Sequence, residues 1–197
     1  KDPIEYVQRL AGFTFTTARN YPKGHISGLE FEVRQSLGSL WRSAEGLSVG
    51  FNATFLDSKV YLPQDEVDNL NNPAIEVNMP SRDMTDAPEH IYNIYAMCDI
   101  ERTGTQLGLF YTVQGDTLVA GAAESNGNFV PNVYATEFNT LNFTLSQMLG
   151  KNVRLTFKAQ NLTDPRIETV YRSDQGDATR TSFTKGRRFT LGLGIQL

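Results

Sequence analysis

Apolar and polar residues alternate one for one over the last stretch of the chain, where Phe189, Leu191, Leu193, Ile195 and Leu197 are separated by Thr190, Gly192, Gly194 and Gln196. A period of two places the first set on one face of a β-strand. The same pattern runs through Leu47, Val49, Phe51, Ala53 and Phe55, and again through Val153, Leu155, Phe157 and Ala159. Leu29, Phe31 and Val33 alternate with Glu30, Glu32 and Arg34. Weaker alternation predicts strands over Tyr92–Ile100, Leu107–Val113 and Leu141–Leu145, and Ile4–Val7 reads as the end of an earlier strand. The pattern predicts about eight strands, no helix, and hence an all-β fold.

Connections narrow the architecture. Short turns are expected over Leu37–Gly46, Glu101–Gln106 and Met148–Asn152, and longer loops over Leu62–Glu89, Gly121–Asn132 and Tyr171–Arg180. Short and long therefore alternate, as in a transmembrane antiparallel β-barrel with tight periplasmic turns and long outer loops. The apolar faces carry no charge, whereas the opposite faces carry Glu30, Glu32, Arg34, Arg154 and Lys158 at mid-strand, as a hydrated lumen would. A soluble β-sandwich also pairs an apolar face with a polar one and stays open as an alternative. With 40% hydrophobic and 20% charged residues in 197, composition alone fits one soluble domain. No run approaches the roughly 18 apolar residues of a spanning helix, so any membrane role falls to strands. A net charge of −4 with scattered Lys and Arg argues against a nucleic-acid partner. The single Cys98 allows no internal disulfide. Asn-x-Thr triplets at Asn52, Asn142 and Asn161 fall in predicted strands and are not read as glycosylation sites.

Several segments carry a family resemblance in order along the chain. NYPKGHISGLEFEVRQSL followed by EGLSVGFNATFLDSKV resembles a descending Gly-apolar-Glu-apolar-Glu strand, here Gly28 to Glu32, returning as a strand that ends in Phe55 and Asp57. APEHIYNIYAMCDI resembles the strand after a Pro-containing outer loop, VRLTFKAQNLTDPRIETVY a penultimate strand with an Asn-Leu-x-Asp corner, and KGRRFTLGLGIQL a closing strand. Together they resemble the C-terminal barrel portion of TonB-dependent outer-membrane receptors. Two departures are Leu197, where an aromatic residue is common, and Cys98, where Tyr is more usual.

The resemblance implies a bacterial outer-membrane location and energy-dependent import of a scarce nutrient of the iron-siderophore, cobalamin or carbohydrate class. It implies no enzymatic activity and no cofactor. Family barrels have 22 strands and an N-terminal plug, so residues 1–197 would supply the last third of the wall. The partners implied are outer-membrane lipid, the missing N-terminal strands and plug, the TonB complex acting through that plug, and a small-molecule nutrient. The chain begins Lys1-Asp2-Pro3 without an initiator Met or leader, inside an apparent strand, and on this reading would neither close nor transport alone. The runner-up is a complete eight-stranded membrane barrel with an adhesive, structural or enzymatic role.

Candidate chemistry is sparse. His25 and His90 are expected at outer strand ends as rim residues rather than catalysts, and no Gly-x-Ser-x-Gly elbow occurs. Asp65, Glu66, Asp68 and Glu76 share one long loop without calcium-loop spacing, so no metal site is assigned. Glu30, Glu32 and Arg34 read as a lumenal ladder, with Arg154 and Lys158 also lining the lumen. Ligand recognition in the resembled family falls to the outer mouth, which makes Tyr61, Phe129, Tyr134, Tyr171 and Arg172 the candidates; aromatic residues there also suit an interfacial girdle. The alternation predicts Leu191, Leu193 and Ile195 toward lipid, and Thr190, Gly192 and Gln196 toward the lumen.

Overall fold

The computed structural model describes residues 2–10, 14–125 and 127–195, so the expectations for Gln196 and Leu197 lie outside the described residues. The strands are β1 (Ile4–Leu10), β2 (Thr14–Asn20), β3 (Lys23–Ser36) and β4 (Leu47–Tyr61). A short helix α1 (Gln64–Leu70) and the two-residue β5 (Ser81–Arg82) follow, then β6 (His90–Ile100) and β7 (Thr105–Gln114). Four small strands come next: β8 (Thr117–Ala120), β9 (Ala123–Ser125), β10 (Asn128–Val130) and β11 (Asn132–Ala135). The chain continues through β12 (Phe138–Leu149), β13 (Val153–Gln160), β14 (Ile167–Ser173), β15 (Gly176–Phe183) and β16 (Arg188–Ile195).

Among the described residues the main body is an eight-stranded antiparallel sheet in the order β16-β13-β12-β7-β6-β4-β3, with β5 attached to β4. Its register puts every expected apolar set on one face. Leu29, Phe31 and Val33 lie opposite Phe55, Ala53 and Phe51. Ala53, Phe51 and Val49 face Tyr92, Ile94 and Ala96, which in turn meet Val113, Tyr111 and Leu109. Tyr111, Leu109 and Leu107 then pair with Leu141, Phe143 and Leu145. Leu145 meets Phe157, which meets Leu191, and Leu155 meets Leu193. Hydrogen-bond register, not a choice of residues, defines this face, and it stays free of Asp, Glu, Lys and Arg from Leu47 to Phe55 and across the paired strands. That stretch rises about 27 Å along the strand, or about 20 Å at a tilt of about 40°, close to the roughly 25 Å apolar band of a membrane barrel.

No described element covers that face. Leu191 is 71% exposed and Leu29 67% exposed, with Ile94, Phe189, Leu193 and Ile195 all at least half exposed. A soluble sandwich would bury such a face against a second sheet, and so large an apolar surface marks a lipid or partner contact. The sandwich alternative therefore fails. So does closure as a small barrel, since among the described residues β3 and β16 are the two ends of the sheet and do not pair with each other.

Short turns of 37–46, 101–104 and 150–152 lie at one end of the sheet, and connections of 62–89, 115–137 and 161–187 at the other. Gly46 shows why the first turn needs glycine: its φ is +83°, and a Cβ there would sit 2.1 Å from the Asp99 carbonyl oxygen. On the polar face, Gly50 lies directly opposite Tyr95, whose ring occupies the space a Cβ would fill.

The long connections differ from the expectation of plain loops. Strands β15, β14, β11 and β8 form a separate four-stranded sheet beyond the main one, and β9 pairs with β10. The segment Ile4–Val7 is not an edge of the wall; β1 pairs with β2 in its own hairpin. The 62–89 loop contains the helix α1, against the expectation of no helix. Asn161 lies past the end of β13, in a corner where its φ is +59° and that of Asp164 is +46°. Asp164 Oδ1 accepts from the Gly186 amide at 3.0 Å and Asn161 Nδ2 donates to the Gly186 carbonyl at 2.8 Å, which ties the corner to the start of β16. The Asn-Leu-x-Asp motif is thus a clamp where the wall gives way to the outer sheet.

Candidate functional site

Two regions can contact a solute: the polar face of the wall and the assembly of long connections above it. On the polar face the register brings Glu30, Glu32 and Arg34 opposite Thr54, Asn52 and Gly50. Asn93 Nδ2 donates to Asn52 Oδ1 at 2.8 Å, and Thr112 Oγ1 donates to Asn93 Oδ1 at 2.8 Å, giving a polar chain across three strands. Nearer the short turns, Arg154 donates to Ser146 Oγ at 3.2 Å, while Lys158 lies opposite Thr144 and Thr190.

The long connections build a packed outer assembly with two apolar clusters. Val7, Tyr21, Val60, Leu62 and Leu70 form one, flanked by Val67, Val77, Met79, Met84 and Phe129; Leu118, Tyr134 and Val170 form the other. Charged networks stitch them. Arg19 of β2 pairs with Asp65 at 2.8 Å and Glu66 at 2.7 Å, both in the first turn of α1, where carboxylates also suit the helix dipole. Tyr21 donates to Glu66, and Arg82 donates to the Tyr21 hydroxyl at 2.7 Å. Glu5 is fully buried and accepts from the Thr85 amide at 2.9 Å. Burial raises its pKa, partly offset by the Thr85 bond and by the facing Arg82. Asp65 and Glu66 are thus committed to Arg19, and Asp68 accepts from Gln64 at 2.7 Å.

The second network centres on Arg172. Its guanidinium pairs with Asp116 at 2.7 Å and Asp177 at 2.9 Å and lies 4.6 Å from the Tyr134 ring centre. Tyr134 donates to Asp83 at 2.8 Å. Its pKa is raised, chiefly by burial and then by that bond. Tyr134, Asp57, Ser58, Asp83, Glu89 and Asp116 line a cavity of about 310 Å³.

Of the five residues proposed from sequence as ligand contacts, the structure joins Tyr134 and Arg172. Tyr171 sits on the other face of β14, opposite Val133, and within 5.9 Å of Arg180. Phe129 packs against the first apolar cluster, and Tyr61 lies under the Lys23 ammonium at 5.3 Å. Both histidines occupy the expected strand ends: His25 in the outer part of β3, and His90 at the start of β6, bonded to Glu137 at 2.9 Å. Asp83, Asp116 and Arg82 lie in polar segments with no periodic signal, and Glu5 lies in the alternating segment Ile4–Val7, so none of the four stands out as a site residue in the sequence.

The Arg172 network gives a pH prediction. Bonds from Arg172 hold the Asp177 carboxyl below the ordinary carboxylate range. A depressed value means the stabilisation is complete above that range and is lost as pH falls through the lowered value. Acidification below the ordinary range should loosen the β14–β15 hairpin, and Arg172→Gln should remove this acid dependence. Hydrogen exchange of residues 167–183 against pH measures it; an unchanged acid profile in the variant would contradict the assignment.

An open, lumen-and-lipid-faced antiparallel wall with short turns on one side and a folded outer assembly on the other defines part of a transmembrane β-barrel of the outer-membrane type. The family model "TonB dependent receptor-like, beta-barrel" matches residues 1–162, and the chain belongs to that family. Among solved structures the fold resembles the crystal structure of the ferric citrate transporter FecA in the unliganded form, with a TM-score of 0.58 at 14% identity. The likeness covers 86% of this chain and 23% of that one, and at this identity it is a likeness of fold. No curated protein matches the chain.

Proposed function

We propose that residues 1–197 form the C-terminal part of the barrel of a TonB-dependent outer-membrane receptor that imports a small, scarce nutrient of the iron-siderophore, cobalamin or carbohydrate class. The observation that carries this reading is the charge-free face continuous across seven paired strands, backed by a polar face of matching extent. On it Glu30, Glu32, Arg34, Arg154 and Lys158 line the lumen, where a plug would sit and through which a TonB complex would act. The open edges of β3 and β16 take the remaining strands as partners, because unpaired backbone groups in hydrocarbon cost several kcal/mol each. Among Tyr61, Phe129, Tyr134, Tyr171 and Arg172, the ligand role fits Tyr134 best, since it lines a cavity. Arg172 orients it.

Spin labels at positions 191 and 192 of the complete protein in membrane test the reading. The register puts Leu191 on the apolar face and Gly192 on the polar one. The label at 191 should collide with oxygen in lipid and the one at 192 should not; equal accessibility would reject the wall assignment.

A further inference from the structure

The chain carries a net charge of −4, yet the charged residues lining one cavity at the outer end of the wall are cations alone. The cavity measures about 260 Å³ and lies at the Asn-Leu-x-Asp corner, with Lys185 and Arg188 in its lining and no Asp or Glu. Register puts it on the lumenal side. Thr140 and Asn142 alternate with Leu141 and Phe143 of the apolar face. Gln160 lies opposite Arg188, one step beyond the apolar pair Ala159 and Phe189. Thr140, Asn142, Gln160 and Arg188 therefore share the polar face.

Among the described residues neither cation has an acidic partner, since the ion pairs belong to Arg19, His90, Arg166 and Arg172. The neighbouring Arg187 is committed, because its Nε donates to the Leu162 carbonyl at 2.9 Å. The corner's own carboxylate, Asp164, accepts from the Gly186 amide at 3.0 Å. The backbone between the two cations is fixed. Asn161 Nδ2 donates to the Gly186 carbonyl at 2.8 Å, and Asn142 Oδ1 accepts from the Asn161 amide at 3.0 Å. When an anion enters, two side chains remain to be ordered rather than a loop.

We infer that this cavity is an anion-binding site at the mouth of the lumen, in which Arg188 and Lys185 hold a carboxylate or phosphate group of the imported solute. The inference rests on the transport reading above and narrows it to a cargo with an anionic end. A guanidinium meets two oxygens of either group at once, and Lys185 adds a point charge. Thr140 and Gln160 offer a hydroxyl and an amide beside them, and Phe138 and Ile167 an apolar wall for the adjoining carbons. A cleft lined by one sign of charge focuses its field on a solute. A neutral sugar would leave both cations unanswered. The Tyr134 cavity is of opposite character, with Asp57, Asp83, Glu89 and Asp116 in its lining, so an anionic group selects the Lys185–Arg188 cavity.

The test titrates the complete protein in detergent micelles with citrate, glycerol phosphate and neutral glucose, followed by calorimetry. At least one of the two anions should bind, glucose should not, and added salt should weaken the binding. Which anion binds tells carboxylate from phosphate recognition. Lys185→Gln combined with Arg188→Gln should weaken binding by roughly tenfold or more. Lys151→Gln, a cation lost from a short turn at the opposite end of the wall, should leave it unchanged. Binding of neither anion, equal binding of glucose, or equal losses in the two variants would overturn the site. So would failure of a water-soluble thiol reagent to reach Lys185→Cys in a Cys98→Ala background, because the rest of the barrel would then cover the cavity. If a label at 191 lacked lipid access, the transport reading itself would fail, so the two failures are distinguishable.

Discussion

Leu193→Arg should leave most of the protein outside the membrane, while Thr156→Arg on the adjacent strand should assemble nearly normally. The two positions lie on β16 and β13, which pair residue for residue from Val153 with Ile195 to Gln160 with Arg188. Leu193 stands opposite Leu155 on the apolar face and is 64% exposed, so nothing in the described chain would shield a new cation there. An Arg near the midplane on the lipid side costs about 2–4 kcal/mol. At about 1.4 kcal/mol per tenfold, the inserted fraction falls between roughly thirtyfold and several hundredfold. Thr156 pairs with Ser146 and Gly192 on the polar face, between Arg154 and Lys158. A third cation there meets some repulsion, but in a hydrated lumen that is worth well under the lipid penalty, on the order of 1 kcal/mol. Heat-modifiable gel mobility of the complete protein reads the inserted fraction, and comparable losses for the two variants would contradict the face assignment.

The wall was legible in the sequence because each of its strands works under the same constraint. A strand with lipid on one side and water on the other must alternate, so Phe189 to Ile195 and Leu47 to Phe55 announced both their type and their facing. The outer assembly obeys no such rule. In β8, β11 and β14, neighbours on both faces are partly covered by other connections, and Thr117, Leu118 and Ala120 are all buried regardless of parity. These strands therefore read as loop. The helix α1 has only seven residues, too few for a 3.6-residue period to stand out, although Asp65 and Glu66 in its first turn were a visible cue. Ile4–Val7 alternates like a wall strand, yet Glu5 and Val7 are buried in the outer assembly. Tyr134 and Arg172 were both named as candidates, but their stacking across β11 and β14 depends on a register that no local pattern encodes.

Removing the Arg82 guanidinium should open the outer assembly while leaving the barrel wall inserted. Arg82 is 6% exposed, its Nη2 donates to Tyr21, and the guanidinium lies against Gly121, where a Cβ would be 1.9 Å from Cζ. It is the cation whose charge acts on the buried Glu5, and it bonds to Tyr21, which in turn donates to Glu66 of α1. Deleting the cation that offsets a buried carboxylate costs on the order of 3 kcal/mol, since Glu5 then keeps only the Thr85 amide to stabilise its charge. Here Glu5 can relieve part of that by taking a proton. Burial already raises its pKa, with Asp86 adding to the effect, and without Arg82 the rise grows. A raised carboxyl binds its proton more tightly in the folded assembly than in the unfolded chain. The assembly is therefore most stable below the ordinary carboxylate range and weakens as pH rises through the raised value. Arg82→Ala should accordingly make residues 62–89 protease-sensitive at neutral pH and less so on acidification. Adding Glu5→Gln should restore much of the protection, because it removes the stranded charge rather than another contact. Limited proteolysis of the complete protein in membrane, with heat-modifiable mobility followed in parallel, separates the outcomes. Loss of barrel insertion in Arg82→Ala, or no rescue by Glu5→Gln, would show that Arg82 supports the wall or acts apart from Glu5.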